Sequence, residues 1–337
     1  MRRKKIVIFS GGSGNANLIK ALSNYEFIDL KILINGYDDG KSTGYLRDKI
    51  PNMLGPSDFR KNCVNILSKD KKNKNLVNIL EYRFKNNNDY KNIIKYLLKK
   101  NFYKNKLIFC FEELNWTQHN NIKEPIKIFN SFFKNKPFQF KDISLGNIVF
   151  SGIFLKTKNF NKTVKIFTSI FGLNKKIYNV TNGKNLFLMG ITSAGNILKK
   201  EEEIVLNKRR EMIEDIYLVS KKIKIKKNIN KKLKISLLKK NEIFPKMNDE
   251  IKKIIDEADH IIYGSGTEHS SLYPTYLTSN LEKIIHNSKA KKHFIGNIHY
   301  DDDIIKETSA SVIDKFYYYF SKKKNHNSNF KLVDNFF

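Results

Sequence analysis

Four short stretches hold the residues whose types and spacing could do chemistry: "SGGSGN" at 10–15, "GYDDGKSTG" at 36–44, "YGSGTEHSS" at 263–271 and "GNIHYDDD" at 296–303. Each follows an apolar run. A glycine-rich turn that opens a helix can hold phosphate oxygens, because its backbone approaches closely and the helix N-terminus offers unpaired N–H groups and a partial positive charge. Gly11, Gly12, Ser13 and Gly14, with a helix beginning at Asn15, form one such candidate cradle. The other reading is a tight βα turn that needs glycine only for its dihedrals. Gly264, Ser265, Gly266 and Thr267 offer a second nest of N–H and hydroxyl donors.

The adjacent acids Asp38 and Asp39 repel each other unless a cation or a set of donors offsets them. Hard carboxylate oxygens suit Mg²⁺, which takes one or two carboxylates together with substrate phosphates. One of the pair would also serve as the base that takes a proton from an acceptor hydroxyl. The alternative is a turn-capping Asp beside an exposed one. Arg47 and Arg60 could clamp phosphate bidentately, or pair with Asp48 and Asp58. Only seven Arg occur beside 56 Lys, which favours a geometric use of the two Arg in these stretches. Asn147 and Asn297 lie in "LGN" and "GN" turns, where they bind a sugar or base, or brace their own loops. His269 and His299 flank the same turns without a second ligand at metal spacing, so no metal is assigned to them. Trp116, near His119, stacks a base or fills a local core, the core reading being preferred. The acids at 301–303 suit a helix N-terminus.

These residues need a frame. Residues 4–9 read as a buried strand, 15–24 as a helix and 30–40 as a second strand ending at the two acids. A strand, a glycine turn, a helix and a strand within about 35 residues make a βαβ unit with a parallel sheet. A further helix starts at 58–68. The Lys/Asn-rich stretch 69–140 reads as a largely helical insertion with one strand, "KLIFCF". "LGNIVFSGIFL" at 145–155 is a loop entering a helix, and "IYNVT" and "LFLMGI" are strands. "DIYLVS" and "KLKISLL" flank a very basic stretch, 221–234, read as linker or exposed strand edge. A helix at 248–257, the strand "HIIYGSG", a helix at 275–287, the strand "KKHFIGNI" and a helix at 303–320 follow. The expected fold is a Rossmann-like, three-layer α/β/α domain over 1–320, with a mainly parallel sheet, the insertion at about 69–140 and a frayed polar tail at 321–337. In such sheets the turns at the carboxyl ends of the strands share one ligand crevice.

Composition narrows the class. The chain has 337 residues, a hydrophobic fraction of 40% and a net charge of +30. No run of about 18 apolar residues predicts a membrane helix, and the first apolar run is too short for a signal peptide. Two cysteines, Cys63 and Cys110, without paired spacing point to a reducing, cytoplasmic setting without structural zinc, and no haem is expected. The charge invites a nucleic-acid function. Its dispersion over Lys, with abundant Asn and Ile, reads instead as A+T-biased coding drift, which leaves non-specific attraction to polyanions.

The ordered set of motifs resembles the superfamily of the 2-phospho-L-lactate transferase (CofD) and the gluconeogenesis factor (YvcK). Gly11–Gly14 resembles its GGTG-type loop, "DDGKSTGYLRD" its DDGGSSGRLR element and "LGPSDFRKN" its PPGDIRN element. "LEYRF", "SLGNIVFSGI", "ADHIIYGSGTEHSSLYP" and "AKKHFIGNI" resemble further elements in the family order. Lys41 stands where Gly is usual, Lys61 separates Arg60 from Asn62, Ser265 replaces Pro, and Glu268-His269 replace Leu-Tyr. The form of the second motif lies closer to the gluconeogenesis-factor branch than to the transferases. That branch implies binding of a nucleotide diphosphate such as a UDP-sugar and a role in carbon metabolism or cell-envelope and cell-shape control. The wider superfamily implies a Mg²⁺-dependent transferase that moves a phospho-carboxylate from a nucleoside diphosphate adduct to an alcohol. The resemblance implies phosphate or nucleotide contacts from Gly11, Gly12, Ser13, Gly14, Asn15, Ser42, Arg47, Asp58, Arg60, Asn147, Gly264, Ser265, Gly266, Thr267 and Asn297, with Asp38 and Asp39 catalytic and metal-binding. A homo-oligomer is compatible with this reading, membrane insertion is not expected, and a nucleic-acid-binding protein is the further alternative.

Overall fold

The structure is a computed structural model that describes residues 2–99, 105–225, 229–297, 301–324 and 330–337. β1 (Lys4–Phe9) and β2 (Ile28–Ile34) end in continuous apolar runs because both faces of the sheet are covered. Val7, Ile8, Phe9 and Ile32 to Ile34 are buried. β1 and β2 are parallel, with Ile8 opposite Ile32. β3 (Ile177–Asn179) extends the sheet beyond β2.

β4 (Phe187–Thr192), β5 (Ile197–Leu198) and β6 (Ile213–Val219) form a separate antiparallel sheet in the order β5-β4-β6. β7 (His260–Tyr263), β8 (Lys291–Phe294) and β9 (Asn335–Phe336) complete the parallel sheet, whose order is β3-β2-β1-β7-β8-β9. The fold is therefore α/β with a six-stranded parallel sheet and many helices, as the sequence predicts. The strand order runs outward in both directions from the β1–β7 pair. That boundary is the topological switch point, where ligands bind in open α/β sheets. Phe9 stacks on Tyr263 across it, with ring centroids 5.5 Å apart, and Phe9→Ala would cost about 3–5 kcal/mol.

Several local expectations differ from the structure. "KLIFCF" is a helix, Lys106–Glu112, capped by Asn105, whose side chain accepts from Leu107 N at 2.8 Å. Its buried positions, 107, 108, 110 and 111, follow the helical period. "KLKISLL" lies in the helix Lys231–Lys240, capped by Asn230 and packed through Leu238 against Met189 and Tyr217 of the second sheet. Of the basic stretch 221–234 read as linker or strand edge, the residues from Lys231 on belong to this helix, 221–225 lie in no helix or strand, and 226–228 lie outside the described residues. The helix expected at 275–287 is interrupted: a π-helical turn, Glu268–Leu272, leads into Tyr273–Tyr276, and Leu281–Asn287 starts anew after Asn280 at φ 65°.

The acids at 301–303 meet only a short 3-10 turn, Asp302–Ile304. Trp116 is 80% exposed at the start of the helix Trp116–Phe133, so it fills no core. The end of the chain, read as a frayed tail, pairs with β8 as β9, and Tyr263 donates to Leu332 O at 2.9 Å. Cys63 and Cys110 are buried and unbridged. Among the described residues no helix is long and apolar enough to cross a membrane.

Candidate functional site

The loops leaving β1 and β7 touch. A Cβ on Gly14 would stand 2.7 Å from Gly266 Cα and from Ser265 O, so only glycine permits this approach. The buried Asn15 locks the contact: its Nδ2 donates to Ser10 Oγ at 3.3 Å, and its Oδ1 accepts from Ser265 Oγ at 3.3 Å. Ser265 Oγ also reaches Gly14 O at 3.2 Å. Asn297 grips the second loop, accepting from Gly266 N at 2.9 Å and donating to Gly266 O at 2.8 Å and Asp301 Oδ2 at 3.0 Å. Asn62, from the helix Ser57–Leu67, donates to Gly11 O at 2.8 Å and to Asp58 O at 2.8 Å. The Lys61 that separates it from Arg60 thus leaves Asn62 bracing the glycine loop.

Between these loops lies a cavity of about 360 Å³, lined among others by Gly11, Gly12, Ser13, Gly14, Asp38, Ser42, Asp58, Gly266 and Thr267. Among the described residues, the backbone N–H groups of Gly11 to Asn15 have no protein acceptor, and the helix Ala16–Ser23 begins without a side-chain cap. A row of free N–H groups at a helix start is what an anion requires. Lys61 and Arg83 bring cationic side chains to the same wall, with Lys61 3.4 Å from Asp58 Oδ1.

Other predicted residues stand behind the wall. Arg47 is buried, and its guanidinium donates to Tyr37 O (2.9 Å), Asp38 O (3.1 Å), Asn185 Oδ1 (2.9 Å) and Leu186 O (2.6 Å). Arg60 is buried and paired with Glu81, and burial lowers its pKa to about 10. Asn147, at the start of the helix Leu145–Thr157, donates to Ser57 Oγ at 3.0 Å and so supports a cavity residue. Asn15, Gly264, Ser265 and Asn297 hold the loops and do not line the cavity. His269 is buried, its N–H donating to Asp303 Oδ2 at 2.9 Å, and His299 lies outside the described residues.

The structure splits the Asp pair. Asp39 is buried, accepting from Glu201 N at 2.7 Å and pairing with Lys222 at 2.6 Å. It anchors the short helix Glu201–Leu206 and is not among the residues lining the cavity. Asp38 faces the cavity, with Oδ1 accepting from Gly40 N at 2.9 Å. Desolvation, then Asp58, raises its pKa to about 6. Desolvation, then Asp38, Asp58 and Asp39, raises Glu201 to about 9. Among the described residues no group of three or more His, Cys, Asp or Glu side chains is arranged to hold a metal. Asp39 turns to Glu201 and Lys222, so Asp38 and Asp39 do not face the cavity together as a Mg²⁺ pair requires, whereas Asp38 and Asp58 both line it.

Reading the sequence left out Lys61, Arg83, Ser57, Glu201 and Asp301 as lining residues. Arg83 lies in "LEYRF", a recognisable motif. Glu201 comes from a short acidic helix with no motif of its own. Lys41, in the place of a usual Gly, adopts φ 40°, which explains the glycine preference there.

Taken together, an open parallel sheet and a cavity at its switch point define a doubly wound α/β protein with a candidate ligand site between two glycine loops. The chain belongs to the CofD family, matching the family described as "2-phospho-L-lactate transferase CofD" over residues 6–324. It is similar to proteins named "Putative gluconeogenesis factor". That of Thermotoga maritima is 21% identical over 294 residues, 87% of this chain and 68% of that protein. That of Aquifex aeolicus is 25% identical over 302 residues, 88% of this chain and 68% of that protein. Two crystal structures of a Bacillus halodurans protein, one described as a member of the UPF0052 family, share the fold. Both have a TM-score of 0.67, at 19% and 18% identity, and they cover 99% and 100% of this chain and 80% of theirs.

Proposed function

We propose that the cavity binds a nucleoside diphosphate adduct such as a UDP-sugar, and that the protein acts in the gluconeogenesis-factor manner, in carbon metabolism or cell-envelope and cell-shape control. The observation that carries this reading is the row of N–H groups from Gly11 to Gly14, without a protein acceptor among the described residues, in a loop that lines a cavity at the switch point. Lys61 and Arg83 add charge to hold a diphosphate. A Mg²⁺ ion, held by Asp38 and Asp58, would neutralise the phosphates beside these carboxylates. Thermal-shift titration with UDP, GDP and UDP-sugars, with and without Mg²⁺, tests the reading. A concentration-dependent rise in Tm with a diphosphate ligand is expected, and no shift at millimolar ligand contradicts it.

Asp38 favours a second reading, a transferase. A carboxylate that faces the cavity with its pKa raised to about 6 suits a base taking a proton from an acceptor hydroxyl. The discriminating measurement is Mg²⁺-dependent release of nucleoside monophosphate from a diphosphate donor and an alcohol. Asp38→Asn would abolish that release, and the absence of turnover over a broad donor and acceptor panel rejects it.

A further inference from the structure

A second cavity, of about 560 Å³, opens at the carboxyl ends of β8 and β9 against the helix Ser309–Phe320. Phe294, Ile304, Val312, Ile313, Phe336 and Phe337 give it an apolar lining. Its volume lies within the range of small-molecule sites. It shares no lining residue with the cavity between the glycine loops.

One wall carries Glu268, which is 1% exposed and whose Oε2 is buried without a hydrogen-bond partner. A buried polar atom without a partner is costly, and native proteins keep few of them. Asp301, Asp303 and Glu307 all lie near enough to disfavour a charge on Glu268, which burial already opposes, and its pKa is pushed well above the ordinary carboxylate range. Lys315, which reaches the neighbouring His269, is already engaged: it pairs with Glu307, donates to Ile213 O at 2.5 Å and meets His269 Nε2 at 3.2 Å. Asn297 is held by Gly266 and Asp301. Glu268 and the acids around it therefore outnumber the cations, and Asp303 Oδ1, like Glu268 Oε2, is buried without a hydrogen-bond partner. The same cavity is lined by aromatic rings, Phe294 and Phe336 with centroids 5.9 Å apart. Carboxylates and aromatic faces on an apolar wall together match an ammonium group on an apolar body.

We propose that this cavity is a binding site for a small amphipathic amine, whose ammonium pairs with Glu268 while its apolar body lies against Phe294, Val312 and Phe336. Binding the cation releases to solvent the proton that burial keeps on Glu268, whereas a neutral ligand of the same shape satisfies the apolar wall and leaves that carboxyl protonated.

The test is calorimetric titration of the full chain at about 0.2 M salt with 2-phenylethylamine and, as the neutral match, 2-phenylethanol. The expected result is saturable one-to-one binding of the amine, at least tenfold tighter than the alcohol. Glu268→Gln, which keeps the side-chain volume, should weaken the amine at least tenfold and leave the alcohol unchanged. Val312→Phe should fill the cavity and abolish both, with circular dichroism confirming a folded chain. Absence of saturable amine binding by the wild type, or equal affinity for amine and alcohol, overturns the proposal. So does undiminished amine binding in a folded Val312→Phe protein. If Glu268→Gln does not fold, the amine–alcohol ratio and Val312→Phe still decide.

Discussion

Arg47 and Glu201 show how differently two charged residues beside one cavity behave. Arg47 directs its guanidinium at four protein acceptors, three of them backbone carbonyls. Arg47→Met would leave those acceptors unpaired and cost about 3 kcal/mol or more, measured by urea denaturation. Nucleotide affinity per folded molecule should change less than about threefold, since no phosphate contact is lost. A tenfold loss in a fully folded variant would return Arg47 to the phosphates. Glu201 works through its protonation. The folded-state values of Asp38 and Glu201, about 6 and about 9, lie above the unfolded ones. Each carboxyl therefore contributes stability in full below about pH 4, and that contribution is lost as pH rises through about 6 for Asp38 and about 9 for Glu201. Glu201→Gln should accordingly melt higher than the wild type at about pH 9.5, by roughly 2 °C, near 1 kcal/mol for a chain of this size. It should also remove the fall in Mg²⁺-free nucleotide affinity as pH rises toward 9. An unchanged pH profile in that variant would place Glu201 outside the ligand's field.

At the scale of elements, the two glycine loops form one unit held by side chains that never line the cavity. Asn297→Ala removes three hydrogen bonds to Gly266 and Asp301. It should lower stability by about 1–3 kcal/mol and weaken nucleotide binding through the loosened Gly266 and Thr267. Unchanged affinity with unchanged Tm would show that the loop holds its shape without it. Gly14→Ala presses a methyl against the other loop's backbone and should cost about 1–3 kcal/mol. The strands that carry these loops are legible in the sequence, because a short apolar run that stops at a glycine turn suits a buried strand and little else. Arg47, Asn147 and Asp39 are legible as important but not in their roles. Sequence order places them in motifs, whereas only the packed structure shows that their polar atoms turn inward to Leu186 O, Ser57 and Lys222. "KLIFCF" misleads because a short, mostly apolar run suits strand and helix alike, and the Asn105 cap decides between them. Glu201 reaches the cavity from a chain segment far from every glycine motif, with only its tertiary contact to Asp39 to reveal it.

The whole molecule carries a net charge of +30, and this charge competes with the site for anionic ligands. Screening separates the two, because exposed charges lose their reach at a Debye length of about 8–10 Å, while hydrogen bonds made at contact by the loop N–H groups are weakened far less. Attraction to DNA or polyphosphate should therefore disappear by about 0.2 M salt, and nucleotide binding should persist. The decisive measurement is calorimetric titration of UDP-sugars into wild-type and Gly12→Val protein at that salt concentration, with Tm recorded for both. Gly12 needs no left-handed backbone, and a Cβ there would meet Asp58 Oδ1 at 2.5 Å and Lys61 Nζ at 2.6 Å, both side-chain ends that border the cavity. Saturable one-to-one binding to the wild type is expected, with its loss in a Gly12→Val protein of nearly unchanged Tm. Wild-type affinity in the folded variant, or no binding to either protein at millimolar ligand, would contradict it.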